Sequence, residues 1–170
     1  SFCRENERWL DNYALYTAVK AHFEMKSWNA WPEEGIRKHQ PEAVRRYREL
    51  LKNEVEFYRF VQFLFFRQWK ALKAYAQEKG VQFIGDIPIF VSPDSADVWA
   101  EPQMFKLDKD GFPKVVAGVP PDYFSATGQL WGNPIYDWKY HKKTGFSWWM
   151  KRIKAQLTLS DIVRIDHFRG

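Results

Sequence analysis

Residues 58–86 change their repeat from helical to extended, and this change constrains the fold more than any other feature. Tyr58, Val61, Phe65, Trp69, Leu72 and Ala76 recur at spacings of 3-4-4-3-4, which sets them on one face of a helix. Gly80 is the residue type that ends helices. Residues 81–86 (VQFIGD) are then short, apolar and strand-compatible. A helix, a glycine and a buried strand in direct succession are half of a βαβ unit. Residues 161–166 (DIVRID) read as a second buried strand, and both segments end in Asp. A long excursion and a helix expected at 142–157 lie between them. The pattern predicts successive parallel strands of an α/β barrel, a fold whose chemistry sits at the C-terminal strand ends.

The rest of the chain fits one domain of 170 residues, with no visible repeat or boundary. Residues 7–25 predict an amphipathic helix, with Trp9, Tyr13, Tyr16 and Lys20 on one side and Leu10, Ala14, Ala18 and Ala21 beside them. Residues 28–35 (WNAWPEEG) predict a turn. Pro41 opens a second helical stretch running to residue 79, with a break near Asn53. The helical part thus covers about 1–80, and the strand, loop and second strand about 81–170. No apolar run is long enough to span a bilayer and no signal sequence opens the chain, which predicts no membrane and a cytoplasmic location. The single cysteine, Cys3, excludes an internal disulfide and a cysteine metal cluster. Net charge is +5, and residues 138–160 hold Lys139, Lys142, Lys143, Lys151, Arg152 and Lys154 with no acid. That run reads as a solvated helix face; with no nucleic-acid motif beside it, no nucleic-acid partner is expected.

Chemistry is carried by three places. Arg164 and Asp166 share one strand face and Val163 and Ile165 the other. A guanidinium beside a carboxylate favours its charged form, and an ionised Asp in a barrel mouth can attack an anomeric carbon. The same spacing equally serves a structural ion pair. Asp86, in GDIPIFV, can bind substrate hydroxyls or cap the next loop, with Gly85 allowing close packing. Residues 86–134 hold 7 of the 9 prolines, and such a long braced loop usually carries function. Within it, residues 118–138 (GVPPDYFSATGQLWGNPIYDW) present Tyr123, Phe124 and Trp131 between prolines and the tight-turn residues Gly128 and Gly132. Their rings suit the apolar faces of pyranoses; a self-packed loop is the alternative. Aromatic residues make up 18% of the chain, which fits either a sugar-stacking surface or an aromatic core.

Three segments in this order, IGDIPIFVSPDSADVW, VAGVPPDYFSATGQLWGNPIYDW and VRIDHFRG, together with WLDNYALYTAVK near the start, resemble the amylomaltase or 4-α-glucanotransferase family of glycoside hydrolases. The resemblance covers nearly the whole chain. It implies the (β/α)8 TIM barrel of the α-amylase clan, here a section with a long aromatic βα loop and helical insertions. It implies retaining double displacement on α-1,4-glucans, with maltooligosaccharides or amylose as donor and acceptor and no cofactor or metal. Asp166 then matches the catalytic nucleophile and Arg164 the arginine that orients it. Asp86 matches an aspartate that binds the glucose ring beside the scissile bond. Tyr123 matches a loop tyrosine that covers substrate, with Phe124 beside it, and Trp131, Gly132 and Asn133 line the groove. His167 and Arg169 lie in the motif without a chemical role, His167 as a packed or hydrogen-bonded neighbour.

The family's acid/base Glu and a further His-Asp pair lie beyond the nucleophile motif, and Gly170 follows Asp166 by four residues. The expectation is a middle section, about the second to fourth barrel units, with unpaired sheet edges. Two other readings stay open: an α-amylase-like hydrolase and a non-catalytic glucan-binding fragment. Preferred glucan length and oligomeric state are not set by the sequence. The 170 residues alone should be inactive and poorly stable; disproportionation of maltotriose by the pure chain would contradict this.

Overall fold

The computed structural model describes residues 1–167; Phe168, Arg169 and Gly170, and with them the Arg169 position of the motif, lie outside the described residues. The chain is α/β and forms two compact units. The first comprises Ser1–Arg67 and Asp94–Pro102, the second Gln68–Pro93 and the residues from Gln103 onward.

The first unit is helical. It contains α1 (Phe2–His22), α2 (Glu34–Arg37), α3 (Pro41–Leu50), the first part of α4 (Lys52–Glu78) and the short α5 (Ala96–Ala100). Helix α1 starts five residues earlier than its periodicity predicts and ends three earlier, where Glu24 and Met25 take left-handed φ of 55° and 65°. The predicted turn at 28–35 holds a 3-10 turn, Trp28–Ala30, and the start of α2. The break between the next two helices falls at Leu51, beside its expected place, and Pro41 occupies the first turn of α3, where a missing N–H costs nothing. Leu10, Ala14, Leu15, Ala18 and Val19 of α1 are buried with Ile36, Val55, Val98, Trp31 and Trp99. Tyr16, Trp31 and Trp99 meet in a triangle of ring contacts at 5.6–5.7 Å. Each buried indole finds an acceptor, Trp99 the Ile36 carbonyl at 2.8 Å and Trp31 the Lys26 carbonyl at 3.1 Å.

One polar cluster joins this core. Asp94 accepts hydrogen bonds from the Tyr16 hydroxyl at 2.6 Å and the Trp28 N–H at 3.2 Å, and pairs with Lys20. Burial opposes ionisation of Asp94, but the bonds from Lys20, Tyr16 and Trp28 outweigh it and hold the carboxyl below its usual range. Burial, reinforced by the Asp94 carboxylate, pushes the Tyr16 hydroxyl up.

The second unit is built on a two-stranded parallel sheet. Strand β1 (Ile84–Ile87) pairs with β4 (Ile162–Ile165), Asp86 opposite Arg164. Both strands lie within three residues of their predicted starts, but they are not buried as predicted: Ile84, Ile162 and Ile165 are exposed, and Ile87 is the one buried residue of the two strands. Asp86 sits one residue inside its strand and Asp166 immediately after the other. Gly80, at φ 72°, turns the chain out of α4 while the Val81 N–H returns to the Ala76 carbonyl at 2.9 Å. At the beginning of the sheet, Asp161 accepts from the Phe83 N–H at 2.9 Å, from Gln77 at 2.9 Å and from Lys73 at 3.2 Å. The Phe83 bond first, then Lys73 and Gln77, keep the Asp161 carboxyl below its usual range. Trp69 of α4 donates to the Leu159 carbonyl at 2.8 Å. Gly85 has no room for a side chain: a Cβ there would stand 2.0 Å from Ser160 Oγ and 2.9 Å from Ser160 Cβ.

The excursion between β1 and β4 is more structured than its composition predicts. It contains an antiparallel hairpin of β2 (Val116–Val119) and β3 (Gln129–Pro134), with a register irregularity between Val116 and Gly118. The four residues of β2 carry little periodic signal, and in β3 Gly132 and Pro134 are residues that strands disfavour. The helix expected at 142–157 is two helices, α6 (Trp138–Lys143) and α7 (Ser147–Leu159), parted by Gly145 and Phe146 at φ 62° and 54°. Asp137 caps α6 by accepting from the Lys139 and Tyr140 N–H groups. Tyr136 is the centre of this unit's core. It is 1% exposed, donates to the Ile89 carbonyl at 2.9 Å, and touches Phe90, Phe105, Trp148 and Trp149. Among the described residues no helix is long and apolar enough to cross a membrane.

Two substitutions test this packing. Asp94→Ala strands the buried Tyr16 hydroxyl and lowers stability by about 1–3 kcal/mol at neutral pH. Because the folded-state value is depressed, the part of that stabilisation that depends on the Asp94 charge is complete above the unfolded value of about 3.9 and is lost as pH falls through the lower folded value. The gap in urea midpoint between wild type and variant therefore narrows in acid. Gly85→Ala forces the Ser160 turn off β1 and lowers the thermal midpoint, with a cost of about 1–3 kcal/mol.

Candidate active site

Three charged side chains meet where the parallel strands end. The Arg164 Nε donates to Asp86 Oδ1 at 2.8 Å, and its Nη2 donates to Asp166 Oδ2 at 3.1 Å. Strand register explains the first contact, since Asp86 and Arg164 are opposite partners. Alternation explains the second, since residues two apart share a face. The hydrogen bond and charge of Asp86, with the charge of Asp166, hold the guanidinium above its usual range. All three side chains are exposed, at 60–62%. A single cation thus bridges two carboxylates and leaves oxygen lone pairs of both open to a ligand.

Asp166 is engaged on both oxygens. Its Oδ1 accepts from the backbone N–H of His167 at 2.9 Å. The His167 ring lies edge-on to Trp131 with centroids 4.7 Å apart. Trp131 donates its indole N–H to Gln129 Oε1 at 2.9 Å and touches Phe90. The indole is half-buried, so part of its surface is committed to protein. Asn133 is also half-buried, and its amide nitrogen donates to the Val91 carbonyl at 2.9 Å, which ties the hairpin to the chain after β1.

Tyr123 and Phe124 stand apart from this cluster on the hairpin loop. They are 97% and 89% exposed and touch each other edge to face at 5.7 Å. Asp122 builds the turn that presents them. Its Oδ1 accepts from the N–H groups of Phe124 and Ser125, while Ser125 Oγ donates to the Gly128 carbonyl at 2.7 Å. Gly128, at φ 75°, occupies a turn as expected, whereas Gly132, expected at a turn, lies inside β3 with a φ of 78°. The self-packed alternative fits the base of the loop and not its tip.

Several contributors are absent from the sequence reading. Asp122 carried a legible signal, because Asp two residues before a bonded N–H is an Asx-turn pattern. Gln129 and Phe90, which support Trp131, and Asp161, which fixes the start of β4, have no local signature. Among the described residues, no group of three or more His, Cys, Asp or Glu could hold a metal ion.

Comparison with known proteins shows what the chain is similar to. A family model described as 4-alpha-glucanotransferase matches residues 1–170. The 4-alpha-glucanotransferase of Thermus thermophilus is 54% identical over 168 residues, 98% of this chain and 33% of that protein. That of Clostridium butyricum is 51% identical over 170 residues, 99% of this chain and 35% of that protein. Amylomaltase from Streptococcus agalactiae, solved in complex with acarbose, has a TM-score of 0.94 at 46% identity, covering 99% of this chain and 34% of that chain. Amylomaltase from Corynebacterium glutamicum, at 20% identity and a TM-score of 0.68, shares the fold. The chain spans about a third of the length of the relatives it matches. With its whole length matched and its strand ends built around Asp86, Arg164 and Asp166, the chain belongs to the 4-alpha-glucanotransferase family.

Proposed function

We propose that the whole protein transfers α-1,4-glucan segments between maltooligosaccharides or amylose chains, and that residues 1–170 supply its nucleophile. The observation that carries this reading is the bridge from Arg164 to Asp86 and Asp166 at the ends of adjacent parallel strands, within a chain of this family. Strands β1 and β4 are read as neighbours in a (β/α)8 barrel, with residues 1–170 part of one catalytic domain.

Asp166 is the nucleophile. A carboxylate oxygen bonds to the anomeric carbon as the C1–O4 glycosidic bond breaks, and the leaving oxygen takes a proton from a carboxylic acid. The family resemblance assigns that acid to a Glu outside these residues. The acceptor's 4-hydroxyl then gives its proton to the same carboxylate and attacks C1, which releases Asp166 and retains the anomeric configuration. Arg164 holds Asp166 by its Oδ2. Asp86, on the other side of the guanidinium, accepts from hydroxyls of the glucose being transferred. Tyr123 and Phe124 cover the glucan, and their exposed rings suit that role. Trp131 and Asn133 line the groove. Covering the intermediate favours a sugar acceptor over water.

In the complete enzyme, Asp166→Asn should lower transfer by about 10³-fold or more with an unchanged urea midpoint, because the side chain is exposed. A near-normal rate would remove Asp166 from this role. Wild-type enzyme should redistribute maltotriose with constant total reducing ends, whereas a hydrolase would raise them. Tyr123→Ala should increase the reducing ends released per transfer.

A further inference from the structure

His167 has a φ of 50°, in the left-handed region that side chains other than Gly, Asn, Asp and His seldom adopt. The torsion links two contacts. On one side, the His167 peptide N–H donates to Asp166 Oδ1 at 2.9 Å. On the other, the imidazole rests edge-on against Trp131. Rotation about the N–Cα bond sets the ring's direction relative to its own peptide plane. Anchoring the ring therefore anchors the plane that carries the N–H.

The anchor reaches the core. Trp131 donates to the exposed Gln129 and touches Phe90, which is 9% exposed and stacked on Tyr136 at 5.9 Å. A line of contacts thus runs from the core through Trp131 and His167 to one oxygen of Asp166. Arg164 holds the other oxygen. Two bonds, one to each oxygen, fix the rotation of the carboxylate about its Cβ–Cγ bond.

From this juxtaposition we infer that His167 is a positioning residue: its ring, held by Trp131, aims its backbone N–H at Asp166 and sets the carboxylate's rotation. The inference rests on Asp166 being the nucleophile. The imidazole nitrogens have no part in it, so another flat ring should serve.

The test uses the complete enzyme with maltotriose. His167→Ala should lower kcat by about 10–100-fold, the scale expected of a small misplacement of a reacting group, with KM changed by less than about threefold. His167→Phe should return kcat to within about threefold of wild type and leave the pH profile in place. A crystal structure of the Ala variant should show Asp166 Oδ1 no longer bonded to the residue-167 N–H, a readout independent of turnover. Equal loss in the Phe and Ala variants, or a pH profile shifted by Phe, would assign the imidazole a chemical role and overturn the inference. So would full activity, or an unmoved carboxylate, in the Ala variant. If Asp166→Asn is as active as wild type, the nucleophile assignment itself fails, and the crystal structure of the Ala variant still decides whether His167 orients Asp166.

Discussion

Arg164 is the cation on which the arrangement at the strand ends depends. Two exposed carboxylates from adjacent strands converge there, and without a shared positive charge they would repel each other. The guanidinium suits the task because its planar fork offers donors in more than one direction. One arm meets Asp86 across the strand pair and another meets Asp166 two residues along the same strand. A lysine in its place would offer one point charge and lose the simultaneous grip. The opposite end of the strand pair has its own fastening, where Asp161 collects the Phe83 N–H, Gln77 and Lys73. The parallel register that sets Asp86 against Arg164 is thus fixed at both ends.

The aromatic residues divide between support and presentation. Trp31 and Trp99 are core, and Tyr136 organises the second unit from within. The large aromatic content is therefore only in part a packing fact, since Phe57, Phe60, Phe65, Tyr75, Phe112 and Trp138 are exposed as well. Tyr123 and Phe124 are exposed furthest, held outward on a turn built by Asp122. Trp131 belongs to both groups, since Phe90 and Gln129 hold it while it touches His167.

What the sequence made legible follows the range of the signal. Helices α3 and α4 have long periodic faces, a proline at the start and Gly80 at the end, so their existence and the break between them were readable. The strands were found because each follows a helix and is apolar. Their ends shifted by up to three residues, since strand limits depend on pairing partners. The β2–β3 hairpin is not legible because β2 has only four residues and β3 carries Gly132 and Pro134. The split of α6 from α7 was missed although Asp137 and Gly145 mark it locally. Of the site, the pairing of Arg164 with Asp166 lies in a two-residue spacing and was readable. The bond from Arg164 to Asp86 joins residues 78 apart and needed the register. The cluster of Tyr16, Lys20 and Asp94 spans as great a distance and left no sequence mark.

The account turns on Asp166 forming a covalent bond to sugar, and trapping that bond tests it most directly. The complete enzyme would be incubated with a donor that forms the glycosyl-enzyme quickly and releases it slowly, then digested and sequenced by mass spectrometry. The account predicts one glycosyl group on the peptide containing residues 161–167, attached at Asp166. A glycosyl group on another residue, or turnover that inverts the anomeric configuration with no adduct, would contradict it.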